Sequence, residues 1–88
     1  MRETINQEVS VVWYYNARLR QALPYLIMWQ NRQYVVGKIG YQHSVRDGAT
    51  LHHIFEFVDK EQTLCFRLNL DTSNLHCLLE AVSDGLAD

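Results

Sequence analysis

Four histidines are the side chains in this sequence best suited to metal binding or proton transfer: His43, His52, His53 and His76. A zinc site needs three or four ligands that converge tetrahedrally, usually at recognisable spacings. Because His52 and His53 are adjacent, a strand would direct them to opposite faces, and they could not both bind one ion. His43 could lie near one of them if the flanking strands pair. The pattern favours a hydrogen-bonded His53 and surface positions for the others, and we predict neither a metal site nor a cofactor.

Residues able to act as nucleophiles or as acid–base pairs lack the companions that such chemistry needs. Cys65 and Cys77 do not form a Cys-x-x-Cys pair, and no base has a predictable position beside either thiol. Glu56 has no second carboxylate at a fixed separation. Gly37 and Gly40 are two glycines within one strand and not a phosphate-binding loop. We therefore predict that the domain is not an enzyme.

Binding is the better functional prospect, because aromatic and basic side chains occur together. The candidate binding surface consists of Trp13, Tyr14, Arg18, Arg20, Arg32, Tyr41, His43 and Arg46. Small barrels bind single-stranded nucleic acid with such combinations. The same aromatic residues could instead form the core, and a sequence pI of about 6.0 disfavours tight binding to a phosphate backbone.

Protein association is the leading hypothesis. Tyr, Trp and Arg are enriched at the energetic centres of interfaces, and residues 11–15 (Val-Val-Trp-Tyr-Tyr) are apolar on both faces of the strand they predict. Such a strand needs cover from its own barrel or from another chain. We predict a non-catalytic interaction module that binds a protein partner or forms a homodimer. Single-stranded nucleic-acid binding is the alternative, and a metal-binding or enzymatic domain is the least favoured class.

The elements that would position these residues have the periodicity of strands. Residues 1–7 are polar and predict a disordered tail, and residues 8–86 predict a single small β domain. The strand-like runs are 8–15, 19–29, 33–41, 50–58 and 63–70. Pro24 donates no ladder hydrogen bond, so the second run should lie at an edge or contain a bulge; a helical turn around 17–23 is the alternative there.

The pattern predicts a mainly all-β fold, a five- to six-stranded antiparallel meander curled into a small barrel or roll. Residues 44–49 predict a loop and residues 59–62 a hairpin turn. In the run 63–70, the alternation predicts that Leu64, Phe66, Leu68 and Leu70 face inward and that Cys65, Arg67 and Asn69 face outward. Residues 73–84 fit a strand or a short C-terminal helix equally well, since their leucines match either period.

Charge is divided unevenly along the chain. Residues 1–46 have six basic and two acidic side chains, whereas residues 47–88 have two basic and eight acidic ones. This division predicts either a dipolar surface that attracts an anionic partner or, as we favour, strands that neutralise each other side by side.

No run approaches the roughly 18 apolar residues of a membrane span, and the first residues lack the apolar stretch of a secretory signal. We expect a cytoplasmic protein with no membrane partner.

The chain resembles a family of small, poorly characterised bacterial β-barrel domains over roughly residues 8–86. The resemblance rests on Trp29-x-x-Arg32-x-Tyr34-x-Val36-x-x-Ile39, Arg46-x-Gly48, His53-x-Phe55, Phe66-x-Leu68-x-Leu70-Asp71, and Leu79-Glu80 with Asp84-Gly85. Members of that family tend to have an aromatic residue near the position of Cys77, so this chain departs from the pattern there. The resemblance implies a barrel and a strand over the last segment, and it implies no activity.

Overall fold

The computed structural model describes residues 2–84, and all of the regular structure in that range is β. The strands are β1 (Arg2–Glu8), β2 (Ser10–Asn16), β3 (Gln21–Trp29), β4 (Arg32–Asp47), β5 (Thr50–Asp59), β6 (Cys65–Asp71) and β7 (Cys77–Ser83). They form one antiparallel seven-stranded sheet in the order β1-β7-β6-β5-β4-β3-β2. The sheet is curled but does not close into a barrel, and it has one strand more than the upper limit we predicted.

The core forms where the alternating residues of the central strands meet. Phe55 and Phe57 of β5 and Phe66 and Leu68 of β6 all face it, as their spacing predicts. The other core side chains are Leu23, Ile27, Trp29, Cys77, Leu79 and Val82. Full burial of an aliphatic or aromatic side chain stabilises a fold by roughly 1.5–3 kcal/mol. These side chains form the core, which lies between the two halves of the curled sheet.

The strand β1 replaces the disordered tail that we predicted for residues 1–7. It pairs with β7 from Arg2 opposite Ser83 to Glu8 opposite Leu78, and it packs Ile5 against the core. The prediction failed because β1 is polar, and its extended conformation depends on a partner strand that is distant in sequence. Pairing with β7 satisfies the backbone hydrogen-bonding groups of β1, although nothing in the local sequence of β1 favours an ordered strand.

Val9 explains why the sheet must curl. β1 and β2 are the two outermost strands of the sheet, yet they are consecutive in the chain and only Val9 lies between them. The two edges of the sheet must therefore approach each other at that residue. The Val9 amide donates a hydrogen bond to the Cys77 carbonyl oxygen at 3.0 Å, which fixes this corner.

Pro24 lies at a bulge, which was one of the two positions predicted for it. The β2–β3 register shifts between Val12, which lies opposite Leu26, and Trp13, which lies opposite Pro24. β3 itself is an inner strand, because it also pairs with β4. The alternative of a helical turn over 17–23 is wrong, since residues 17–20 form the β2–β3 hairpin turn.

β4 is longer than predicted, because residues 44–47, expected in a loop, continue its pairing with β5. The loop shrinks to Gly48 and Ala49, and Gly48 has a φ of 62°, a conformation that glycine adopts without steric cost. β4 pairs with β3 through its first residues and with β5 through the rest. Two register shifts between Val36 and Tyr41 mark the bend between these halves.

The last segment is the strand β7, and residues 2–84 contain no helix. β7 lies between β1 and β6 in the sheet, and buried residues occur on both of its faces: Leu79 faces the core, and Ala81, which lies opposite Arg67, is buried on the other face. The register of β7 with both neighbours shifts between Leu79 and Ala81, so burial along it does not alternate strictly, and its leucines therefore also fitted a helical period. The described residues therefore include no helix long and apolar enough to cross a membrane.

Candidate binding surfaces

Trp13 and Tyr14 are adjacent in β2 but belong to opposite surfaces. The Trp13 ring contacts Phe55, with 5.4 Å between ring centroids, and it is only partly exposed. It also offers a hydrogen bond to Cys77; burial raises the pKa of the Cys77 thiol, and this bond offsets part of that rise. Tyr14 points away from the core and meets Tyr25 edge to face at 6.4 Å. The period of two along β2 therefore divides the predicted aromatic pair.

The predicted arginines lie in or next to turns of the sheet. Arg18 and Arg20 lie in the β2–β3 turn, and Arg46 lies at the end of β4 next to the β4–β5 turn. Arg32 starts β4 at the opposite end, where its guanidinium lies 5.4 Å from the centroid of the Tyr34 ring. All four arginines are exposed. The structure thus places Arg18 and Arg20 in one turn, Arg46 beside another turn, and Arg32 at the start of β4.

Tyr41 and His43 form a third location, on the side of β4 that faces away from the core. They lie opposite Glu56 and Ile54 of β5, and their rings are 4.8 Å apart. Nδ1 of His43 is buried and makes no hydrogen bond within residues 2–84. The eight predicted residues therefore occupy several distinct surfaces.

The acidic side chains of the second half of the chain are largely used inside the fold. Glu56 and Glu80 both bind Arg67, while Asp59 and Asp71 accept hydrogen bonds from turn residues. The neutralisation of one half by the other that we favoured is therefore limited mainly to Arg2, which lies 3.6 Å from Glu56. The Lys and Arg residues that form no ion pair within residues 2–84 are Arg18, Arg20, Arg32, Lys38, Arg46 and Lys60.

The side of the β2–β3 hairpin that faces away from the core is an exposed apolar surface, which we call the hairpin surface. Its main residues are Val12, Tyr14, Tyr25 and Met28, between 37% and 52% exposed. A shallow groove of about 500 Å³ lies beside it, lined by Tyr14, Pro24, Tyr25, Val36, Gly37 and Ile39. Sequence reasoning missed Tyr25 and Met28, although the bulge at Pro24, one of the two alternatives predicted there, leaves Tyr25 without a partner residue in β2.

The two outermost strands of the sheet differ in how well they are protected. β1 has the charged residues Arg2, Glu3 and Glu8, and its register with β7 shifts between Thr4 and Gln7. Charges and bulges are the usual means of preventing a free strand edge from pairing with another chain. β2 has no charged residue, and within residues 2–84 it pairs only with β3. The β2 edge is therefore the unprotected one.

A polar network covers the face of β5, β6 and β7 that is turned away from the core. Arg67 donates to Glu80 at 2.8 Å and also to Glu56, and Asn69 donates to Glu80 at 2.8 Å. Since the Asn69 amide nitrogen is used on Glu80, its oxygen accepts from His52, which assigns the proton of His52 to Nδ1. Burial disfavours the charged guanidinium, but the bonds and charges of both glutamates outweigh it and raise the pKa of Arg67.

The outward direction predicted for Arg67 and Asn69 is thus observed, but both side chains are half-buried by the network. His53 is hydrogen-bonded as expected, through Nδ1 to Ser44 Oγ at 2.9 Å. Within residues 2–84, no three His, Cys, Asp or Glu side chains lie in a group that could hold a metal ion.

No family model matches the chain, and neither a curated protein nor a solved structure is significantly similar to it. The resemblance to bacterial β-barrel domains therefore stays a prediction. Two surfaces of the described residues stay open to a partner or ligand: the hairpin surface with the β2 edge, and a groove on the face that bears the polar network.

Proposed function

We propose that this domain is a non-catalytic interaction module that self-associates through the β2 edge and the hairpin surface. The observation that carries the proposal is the contrast between an uncharged free edge at β2 and a charged, bulged one at β1. An exposed apolar surface beside an unprotected edge is typical of a protein interface.

A second copy is the favoured partner because β2 is complementary to itself. Antiparallel pairing about a two-fold axis at Trp13 places Val12 of one copy opposite Tyr14 of the other, and Ser10 opposite Asn16. Pairs of aromatic and β-branched residues contribute roughly 0.2–1 kcal/mol each in such ladders. The strand is neutral, so the two copies bring no like charges together. Two-fold symmetry also repeats each of these residue pairs on the other side of the axis, as in other closed dimers.

The test is solution mass measured by sedimentation over a concentration series that reaches about 1 mM, where even a dimer of about −4 kcal/mol is populated. We expect the wild type to shift from monomer to dimer. Val12→Lys should hold it as a monomer, because it places like charges near one another across the two-fold axis. The matched control is Thr4→Lys on β1, which should leave the dimer intact.

A wild type that stays monomeric throughout the series would overturn self-association. Dimers that form equally well with Val12→Lys would show that the interface lies elsewhere. Binding of a different protein at the same surface would appear as a complex that Val12→Lys weakens and Thr4→Lys leaves unchanged.

Single-stranded nucleic-acid binding is the second candidate, and the unpaired basic residues favour it. Arg18 and Arg20 belong to the turn that follows Tyr15, and the Tyr15 side chain is 66% exposed and available for stacking. The measurement is binding to short oligonucleotides as a function of salt. In the double variant Arg18→Ala/Arg20→Ala, the slope of log affinity against log salt concentration should fall by about one for each arginine removed. Arg32→Ala, at the other end of the sheet, should have little effect on that slope. Binding that does not depend on salt would contradict this candidate.

A further inference from the structure

A second open site lies on the face of the sheet that bears the polar network, away from the hairpin surface. Residues directly opposite each other in neighbouring strands share a face, so the register aligns two rows of side chains there. One row is Val58, Cys65, Ser83 and Arg2, and the next is Tyr41, Glu56, Arg67 and Ala81. All eight line a groove of about 480 Å³, a volume within the range of small-molecule sites.

The bend in β4 forms one wall of this groove. β4 follows β5 in regular register from Tyr41 to Asp47, but its register shifts twice between Val36 and Tyr41. The backbone therefore leaves its regular path next to Val58, and Lys38 of the bent segment becomes a lining residue. Because two bulges define the bend, this wall belongs to the fold and does not depend on a mobile loop.

The charge of the groove is cationic. Its lining includes Arg2, Lys38 and Arg67 but only one carboxylate, Glu56. Lys38 forms no ion pair within residues 2–84, and the nearest carboxylate to Arg2 is 3.6 Å away. Glu56 is already engaged by two arginines, so it has little capacity left to attract a cationic ligand.

Arg67 is the residue best placed to recognise an anion. Its Nε and Nη1 atoms are held by Glu80 and Glu56, and its Nη2 makes no hydrogen bond within the part of the chain that the structure describes. Two carboxylates thus fix the guanidinium plane before any ligand arrives. A fixed guanidinium with free N–H groups suits a planar oxyanion such as a carboxylate.

The floor of the groove is apolar. Ala81 is buried, and Val58 and Cys65 are half-buried between the charged residues. A ligand that pairs with the basic residues and also covers the apolar floor must therefore combine an anionic group with a hydrocarbon chain. We propose that the groove binds small amphiphilic carboxylates, with the carboxylate near Arg67 and Lys38 and the hydrocarbon over Val58, Cys65 and Ala81.

The experiment is calorimetric and NMR titration of the full chain with octanoate, with octanol and octylamine as neutral and cationic analogues. We expect octanoate to bind most tightly and to shift the amide resonances of Val58, Cys65 and Ser83. Lys38→Glu should weaken octanoate binding by about tenfold or more, since it replaces one charge-assisted contact by repulsion. Lys60→Glu, an exposed change of the same charge in the β5–β6 turn, should leave the affinity unchanged.

Three results would overturn the proposal: no octanoate binding by the wild type, equal binding of octylamine, or unchanged affinity in Lys38→Glu. A second variant tests the floor, because Cys65→Phe should exclude octanoate by filling the groove while leaving the charged residues in place. The amide spectrum of each variant shows whether it is folded. The site is independent of self-association, since Val12→Lys should not alter octanoate binding.

Discussion

Asp59 shows what a single side chain contributes to this fold. It is 4% exposed, and its carboxylate accepts hydrogen bonds from the amides of Thr63 and Leu64 and from the Thr63 hydroxyl, at 2.7 to 2.9 Å. Burial by itself would raise the pKa of Asp59, but these bonds together hold it below the ordinary value. The carboxylate thus closes the β5–β6 turn by satisfying amides that the two strands leave unpaired.

We expect Asp59→Asn to lower the free energy of unfolding at pH 7 by about 1.5–3 kcal/mol, the usual contribution of hydrogen bonds to a charged group. Because the pKa is lower in the folded chain than in the unfolded one, the contribution is complete above about pH 4 and is lost as pH falls through the folded value. Urea unfolding at several pH values measures both effects. Asp47→Asn, at an exposed position, is the control, and an equal loss there would contradict the assignment.

At the scale of elements, the bend of β4 depends on one glycine and not on the other. A Cβ atom added to Gly37 would lie 2.8 Å from the Asp59 carbonyl oxygen and 3.0 Å from the Lys60 Cα, whereas one added to Gly40 meets nothing within 4 Å. The atoms near Gly37 are backbone, so they cannot move aside without shifting the end of β5. Glycine at this position lets the bent strand approach its neighbour.

Gly37→Ala should therefore destabilise the protein by about 1–3 kcal/mol, in the range of overpacked sites, while Gly40→Ala should be neutral or slightly stabilising. Thermal unfolding of the two variants measures the difference, and the substitution is chemically the same in both. Equal melting temperatures would show that the backbone around Asp59 yields easily. The bend would then have to be maintained by other contacts.

At the scale of the whole molecule, β1 covers the edge of β7 and is itself the outermost strand on that side of the sheet. It pairs with β7 and leads through Val9 directly into β2 at the opposite edge. Removal of residues 1–8 should expose β7 as a new edge and destabilise the protein by about 3 kcal/mol or more, from several ladder hydrogen bonds at about 0.5–1.5 kcal/mol each. Hydrogen exchange should show loss of protection at Leu79 and Ala81. Unchanged stability would mean that the tail predicted from the sequence is the better description.

The sequence by itself determined which residues alternate in β5 and β6, that Pro24 requires either an edge or a bulge, and the mainly all-β class, because these depend on side-chain period and backbone sterics that are local. Only the tertiary structure decided that Pro24 lies at a bulge of an inner strand, that β1 is a strand, that β7 lies between β1 and β6, and that Arg2, Lys38 and Arg67 line one groove. Those features depend on which strands become neighbours. Pairing between segments distant in the chain is set by burial and register, which no local pattern of residues specifies.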